Sequence, residues 1–299
     1  MKTLQKLCAA LATLVSLPVA SQAQTRIYPL FADFNQALGA EVSYSLPAPI
    51  SQGTTPLGNM DALHTKVGWL GTIRAGESHS WLLGAEWSGS RFAVPAGAPL
   101  PSEVHSLALK LGSEWRFADR WLARFEVDPG IYSDFADVSS DDLNAPFAMR
   151  LAYSPSTSLT WVLGINVDLR SGQPVVGGPG VRWKFAPDWT LNFIMPRPRI
   201  EFAANDSLSL FAGGELRGGS WRVAEDFGTR VTLAGLNNEI VDYREMRVGG
   251  GARWKLGQKW SAHFDAGWVM DRRFTFDRQN LLLNGDGAPY LQVGFLARF

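Results

Sequence analysis

The sequence predicts an all-β protein, a closed antiparallel transmembrane β-barrel of about fourteen strands that forms one domain. An export-type segment opens the chain, apolar and polar residues alternate along most of it, and its last strand ends on Phe299. Successive side chains of a strand point to opposite faces, so this alternation gives each strand one apolar and one polar face. A sheet of such strands in a bilayer has to close, because lipid cannot pair with exposed backbone groups.

Residues 1–23 have the pattern of a cleaved secretory signal. Lys2 and Lys6 supply the positive start, an apolar run follows, and small residues stand at the expected cleavage position. The apolar run is too short to span a bilayer as a helix. After cleavage, residues 24–35 are predicted to be a periplasmic or plug segment and residues 36–299 to be the barrel.

Composition excludes several classes of protein. Cys8 is the only cysteine and lies in the predicted signal, which excludes a disulfide framework, a thiol nucleophile and a cysteine metal site. Two of the 28 basic residues also lie in the signal, which leaves 26 basic residues against 28 acidic ones and no polybasic block. Nucleic acid is therefore not an expected partner, and no cofactor is expected.

Fourteen segments show the alternation, and the longer ones approach the ~9–11 residues that a tilted membrane strand needs. In residues 107–117, for example, leucines and aromatic residues share one parity and all three charged residues the other. If the two segments around Pro196 and Pro198 form one bent element, about twelve strands remain; such barrels favour even numbers. The segments are 39–46, 63–74, 81–87, 107–117, 121–127, 147–153, 159–170, 181–185, 189–195, 200–202, 208–217, 246–255, 260–268 and 290–299.

Short and long connections alternate between these segments. Short turns on the periplasmic side and long loops outside are typical of outer-membrane barrels, so both ends of the barrel segment are predicted to be periplasmic. The connection at Pro196 is short and departs from this alternation. Tight turns are predicted near Gly76, Asp119, Pro155, Pro187, Asn205 and Gln258, and long loops at 47–60, 89–102, 129–146, 171–175, 218–238 and 271–288.

Three of the tight turns are flanked by tryptophans that stand six residues apart. Both members of each pair have the same parity and are predicted on the outer face, where indole rings favour the boundary between lipid and water. The alternative is a soluble sandwich with tryptophans beside its turns. The predicted membrane-interface girdle consists of Trp115, Trp121, Trp183, Trp189, Trp254, Trp260 and Phe299.

Charged residues dominate the opposite, inward parity. One interpretation is a water-filled lumen whose basic excess favours anions. The other is a network of cross-strand ion pairs that fills the interior, and the sequence leaves both open. The predicted lumen-lining residues are Arg182, Lys184, Glu215, Arg217, Arg247, Arg253, Lys255 and Asp265.

The sequence gives only weak support for a metal site or an enzyme active site. The four aspartates of loop 129–146 have no known calcium-loop spacing, and a solvated acidic loop is the favoured interpretation. His64, His79, His105 and His263 have no recognisable nucleophile or zinc motif around them. A membrane lipid enzyme is the least favoured hypothesis, and no catalytic, cofactor-binding or metal-binding residue is predicted.

Several blocks resemble a bacterial family that is known only as a domain of unknown function with a predicted outer-membrane barrel. The resemblance covers roughly residues 100–299 and implies the same exported barrel, without an activity or site residues. The blocks are PGIYSDF (129–135), DVSSDD (137–142), VRWKFAPDWTL (181–191), GGELRGG (213–219) and GAPY (287–290).

These observations together predict an outer-membrane protein, exported by a cleaved signal, whose leading function is that of a passive, porin-like channel or solute-uptake protein. The alternative is a structural or interaction barrel with a plugged interior and functional extracellular loops. The expected partners are outer-membrane lipid, the barrel-assembly machinery through the C-terminal strand, and small solutes.

Overall fold

The computed structural model describes residues 35–299, so the predicted signal and nearly all of segment 24–35 lie outside the described residues. Fourteen strands form one closed antiparallel barrel, as the sequence predicts. Strands β5, β6 and β14 are each interrupted once. The strands are β1 (Gln36–Gln52), β2 (Thr55–Arg74), β3 (His79–Phe92), β4 (Glu103–Phe117), β5 (Trp121–Val127 and Gly130–Ser133), β6 (Leu143–Asn144 and Phe147–Ser156), β7 (Leu159–Val167), β8 (Val175–Ala186), β9 (Trp189–Phe193), β10 (Arg199–Ala203), β11 (Leu208–Arg222), β12 (Ile240–Leu256), β13 (Trp260–Phe276) and β14 (Leu281–Gly285 and Ala288–Arg298).

The barrel closes because β1 pairs with β2 on one side and with β14 on the other. Ala40, for example, stands opposite Val67 of β2 and opposite Phe295 of β14. Each strand also pairs antiparallel with its neighbour in sequence. Closure leaves no continuous sheet edge, which is the condition for strands to cross lipid. Within residues 35–299, no helix is both long and apolar enough to cross a membrane.

The two faces of the wall differ as the alternation predicts. Along β1, Leu38, Val42 and Tyr44 point outward and are exposed, whereas Glu41 and Ser43 point inward and are buried. The same division recurs around the barrel and produces an apolar outer belt. Short turns join the strands at the end that also holds Gln36 and Arg298; we call this the turn end, and the opposite end the loop end.

The strands at the loop end are longer than the sequence predicts. The predicted long loop at 47–60 is wrong, because β1 and β2 continue to a turn at residues 53–54, where Gly53 has a φ of 58°. Pro47 and Pro49 interrupt the pattern expected of a strand, so the sequence does not predict a strand here. Pro47 lies at a register shift between Ser45 and Ala48, a place where a strand tolerates a missing N–H donor.

Strands β9 and β10 are exceptionally short, with five residues each. They pair with each other and with the turn-end halves of β8 and β11. The prediction of two strands around Pro196 is therefore confirmed. Beyond the connecting loop 194–198, the loop-end half of β11 leans towards β5, and Arg222 pairs with Ser133 in a parallel bridge. The barrel consequently narrows towards its loop end.

The core lies inside this narrow loop end. Nineteen buried apolar residues, which we call the apolar cluster, pack together there. Phe92, Tyr243 and Phe274 form its centre, with ring centroids 4.8–5.2 Å apart. Phe227, from the four-residue helix α1 (Phe227–Arg230) in the β11–β12 connection, packs against the same cluster. Burial of aromatic surface therefore seals the loop end from within.

Candidate functional site

A cavity of about 550 Å³ occupies the turn-end half of the barrel. Inward-facing residues of β6 to β14 form its wall, and the loop 194–198 forms part of its upper border. Six arginines and three carboxylates line it, so the wall carries an excess of positive charge. The charged lining residues are Arg150, Arg182, Arg197, Arg199, Arg253, Arg298, Glu201, Glu215 and Asp265.

An ion network forms the roof of the cavity. Arg197, in the loop 194–198, reaches across the lumen and donates to Glu41 of β1 at 2.6 Å and to Glu215 of β11 at 3.0 Å. Arg217 bridges the same two carboxylates at 2.7 and 2.9 Å. The network thus ties the β9–β10 loop to the opposite wall, and its charge-assisted hydrogen bonds are of the stronger kind.

A second layer of charge lies between this roof and the apolar cluster. Arg247, which is fully buried, donates to Glu245 and to Ser43 Oγ at 2.6 Å. Arg272 donates to the other Glu245 oxygen at 3.1 Å and also to Ser45. These pairs satisfy charges that would be costly to bury alone. Together with the roof, they place two layers of paired charges between the cavity and the apolar cluster.

A third group of ion pairs fills the side of the lumen next to β2–β6. Lys110 contacts Glu86 at 3.1 Å and Asp128 at 2.7 Å. Arg124 donates to Glu126 at 3.1 Å. Much of the interior therefore matches the second interpretation of the inward charges, in which cross-strand pairs fill the barrel, and only the turn-end half retains a sizeable cavity.

A gap in the wall lies directly above the β9–β10 hairpin. Residues 175–179 of β8 lack a strand neighbour on the side of β9, and residues 217–221 of β11 lack one on the side of β10. The loop 194–198 borders the gap below. We call this gap the side window. Because the loop 194–198 also lines the cavity, the window and the cavity share a border.

The loop 168–174 borders the side window above. Gly172 N and Ser171 Oγ donate to Asp242 Oδ2 at 2.8 and 3.2 Å, on the outer face of β12. Leu169 and Val175, beside the window, point outward and are 85 % and 63 % exposed. The outer face next to the window is thus apolar, as expected for a surface in contact with lipid.

Inside the window the wall is open. Gly178 faces inward on β8, opposite Gly164. A Cβ atom placed on Gly178 would meet no heavy atom within 4 Å. The inner side of the window therefore has free space at Gly178.

The predicted lumen-lining residues divide into three groups. Arg182, Glu215, Arg253 and Asp265 line the cavity. Arg217 and Arg247 face inward but belong to the packed networks, so they form a barrier rather than an open wall. Lys184 and Lys255 have the inward parity and are exposed near the turn end.

Sequence reasoning missed Arg197 and Arg199. Both lie next to Pro198, in a connection and a short strand without readable alternation. No local signal identifies the role of Arg197, because its partners Glu41 and Glu215 are 156 and 18 residues away.

All seven residues of the predicted girdle have exposed side chains near the turn end. Trp115 and Trp121 flank one turn, and Trp254 and Trp260 flank another. The Trp260 ring also lies 6.2 Å from the ring of Phe299. Their role at a membrane interface stays a prediction.

The acidic loop after β5 is tied to the rest of the loop end. Asp134 accepts hydrogen bonds from the backbone of Ala224 at 3.0 Å and of Ala136 at 3.2 Å. Burial raises the pKa of the Asp134 carboxyl above its usual value, although both hydrogen bonds act in the opposite direction. Among residues 35–299, no group of three or more His, Cys, Asp or Glu side chains is arranged to hold a metal ion.

Known proteins resemble this chain in sequence or in fold. A sequence model described as "Domain of unknown function (DUF6268)" matches residues 92–283. The crystal structure of the COG4313 outer membrane channel from Pseudomonas putida F1 is similar, with a TM-score of 0.51 and 8% identity over 92% of this chain and 100% of that chain. No curated protein matches the sequence.

Two further barrels are more distant. The toluene transporter TodX of Pseudomonas putida has a TM-score of 0.48 and 10% identity over 96% of this chain and 93% of its own. A NanC porin has a TM-score of 0.40 and 9% identity over 88% of this chain and 100% of its own. At these identities the comparison concerns the fold.

Proposed function

The chain belongs to the family described as a domain of unknown function (DUF6268), and from that premise we propose that it is an outer-membrane solute-uptake barrel with access from the side. The solute enters through the side window, passes the β9–β10 loop into the cavity, and leaves at the turn end into the periplasm. The names of the structurally similar channels agree with a transport role.

The observation that carries this proposal is the coincidence of the window with the cavity. The ion network and the apolar cluster close the axis of the barrel. Because β9 and β10 are short, the wall of the barrel has its opening at the same height as the ion network. A solute that partitions into lipid would meet the window at the upper edge of the apolar belt, next to Val175.

A bulky substitution at Gly178 tests the route. Because a Cβ atom there meets nothing within 4 Å, the side chain of Gly178→Trp begins in open space on the inner side of the window. We expect the variant to fold and to slow the uptake of neutral and anionic aromatic solutes severalfold in cells that lack other channels. Leu109→Trp adds the same side chain to the exposed outer face of β4, away from the window, and serves as the control. Equal uptake by both variants would remove the side route.

The packed loop end favours a second function, an interaction barrel that works through its extracellular loops. Arg222 binds Asp141 O at 2.9 Å and Asn238 O at 2.6 Å, so the loops on either side form one ordered surface. This alternative predicts that no solute uptake depends on the barrel. It also predicts that deletion within 129–146 or 218–238 abolishes the cellular phenotype, whereas Gly178→Trp leaves it intact.

A further inference from the structure

The cavity contains arginines that the protein itself does not neutralise. Arg197 and Arg199 are paired, with Glu41 and Glu201 respectively. Among the described residues, by contrast, Arg182, Arg253 and Arg298 have no carboxylate within ion-pair distance, although all three line the cavity.

Arginine stays charged, and in a partly desolvated cavity its charge favours an anion. Its planar guanidinium matches the geometry of a carboxylate, which it can bind through two parallel hydrogen bonds. The Nε atom of Arg197 is a further donor in this wall, and it is buried without a hydrogen-bond partner among the described residues. The charged part of the cavity is therefore suited to an acidic group.

Part of the wall of the same cavity is apolar. Ile194, Met195 and Pro196 lie below the side window, and Phe211 and Leu296 add apolar surface nearer the turn end. The guanidinium of Arg199 lies over the ring of Phe211, 5.0 Å from the ring centroid. A molecule that fills the cavity would thus contact both apolar side chains and arginines.

From this combination we infer that the solute is an amphipathic organic carboxylate, with an apolar body that contacts Ile194, Met195 and Phe211 and an acidic group held by Arg253 and Arg298. The inference rests on the proposed function and specifies its substrate class. A volume of about 550 Å³ lies within the range of cavities that enclose small organic ligands. The apolar body also accounts for entry through a window that faces lipid.

Calorimetric titration of the purified barrel in non-ionic detergent tests the inference with three probes. The probes are 4-phenylbutyrate, the matched alcohol 4-phenylbutan-1-ol, and acetate. We expect 4-phenylbutyrate to bind at least about tenfold more tightly than either of the others, because only this probe uses both surfaces; a tenfold ratio corresponds to one good charged contact.

Two variants locate the acidic group. Arg253→Gln and Arg298→Gln should each weaken the binding of 4-phenylbutyrate about tenfold and leave the binding of the alcohol unchanged. Arg74→Gln removes an exposed arginine at the turn end, outside the cavity, and should leave all three affinities unchanged. A shift in electrophoretic mobility on heating verifies that each variant is a closed barrel.

Three results would each overturn the inference. They are equal affinity for 4-phenylbutyrate and 4-phenylbutan-1-ol, equal affinity for 4-phenylbutyrate and acetate, and no binding of 4-phenylbutyrate. So would full affinity in both cavity variants. These outcomes are separate from the test of the side route. If 4-phenylbutyrate binds as expected but Gly178→Trp does not slow uptake, the substrate class stands and the route through the window is wrong.

Discussion

At the scale of single residues, Arg197 is the side chain on which the shape of the lumen depends most directly. It contacts Glu41 and Glu215 on distant parts of the wall and so holds the loop 194–198 against the roof of the cavity. Arg217 contacts the same carboxylates, which means that loss of Arg197 would not leave them without a cation. The residue is therefore suited to a substitution that changes the lumen without unfolding the barrel.

We predict that Arg197→Gln releases the loop 194–198, which borders both the side window and the cavity, and raises the uptake of neutral and anionic aromatic solutes severalfold in cells that lack other channels. Arg199→Gln is the matched control, because Arg199 lies two residues away and pairs with Glu201 of its own strand at 2.6 Å. Identical uptake in the two variants would show that Arg197 does not restrict the lumen.

Asp242 is a second residue whose substitution should have a measurable effect, in this case on the pH dependence of the stability of the protein. On the outer face of β13, Trp268 and Met270 belong to the apolar belt. Nearer the loop end, the outward side chains of β12 and β13 are Arg244 and Arg273. Asp242 lies beyond them, outside the apolar belt. Burial raises the pKa of Asp242 to about 6, although hydrogen bonds from Ser220, Gly172 and Ser171 oppose this.

Because this pKa is above the usual aspartate value of 3.8, the folded state binds the proton more tightly than the unfolded state does. The resulting stabilisation is complete below pH 3.8 and is lost as the pH rises through about 6. Between pH 4 and pH 7 we expect the wild type to lose roughly 1–3 kcal/mol relative to Asp242→Asn. Heat-induced unfolding of both proteins across this pH range measures the difference; parallel curves would contradict the prediction.

At the scale of elements, pairing partners decide which segments form strands. β1 and β2 extend through Pro49 and Pro56 because the facing residues Ile50, Met60 and Ala62 are buried in the apolar cluster. β9 and β10 stop after five residues although their neighbours β8 and β11 continue. Close approach between strands is a further constraint on the sequence, most clearly between β12 and β13.

Gly251 marks that close approach. A Cβ atom on Gly251 would lie 2.1 Å from Phe264 O of β13, so Gly251→Val should force the strands apart and destabilise the barrel by about 1–3 kcal/mol. Gly178→Val, in a strand position with free space, is the control. The midpoint of unfolding in urea measures both variants, and an equal midpoint would mean that β12 and β13 adjust without cost.

At the scale of the whole molecule, the barrel has a packed half and a hollow half. Fourteen strands could enclose a water-filled channel, but the inward lean of β11 and the packing around Phe92, Tyr243 and Phe274 close the loop end. The apolar outer belt and the closed backbone pairing make the same molecule suited to lipid. Its transport properties should therefore differ from those of an open pore.

We predict that the wild-type protein shows only small conductance in planar bilayers although it is fully folded. The physical reason is that the ion network at Glu41 and Glu215 lies across the axis of the barrel. Electrophoresis of heated and unheated samples verifies the closed barrel in the same preparation. A large, steady, ohmic conductance from that preparation would contradict a sealed axis.

Sequence patterning alone predicted a closed antiparallel barrel of fourteen or twelve strands and which face of each strand turns outward, because alternation is a local property and lipid requires every strand to pair. It also marked Arg182 and Arg253 as inward. The three-dimensional fold was needed to choose fourteen strands and to show that Arg217 and Arg247 are enclosed in networks while Arg182 borders a cavity. It alone assigned Arg197 to Glu41, 156 residues away. Such contacts depend on which strands lie across the lumen and how far the wall leans inward, and no local pattern encodes either.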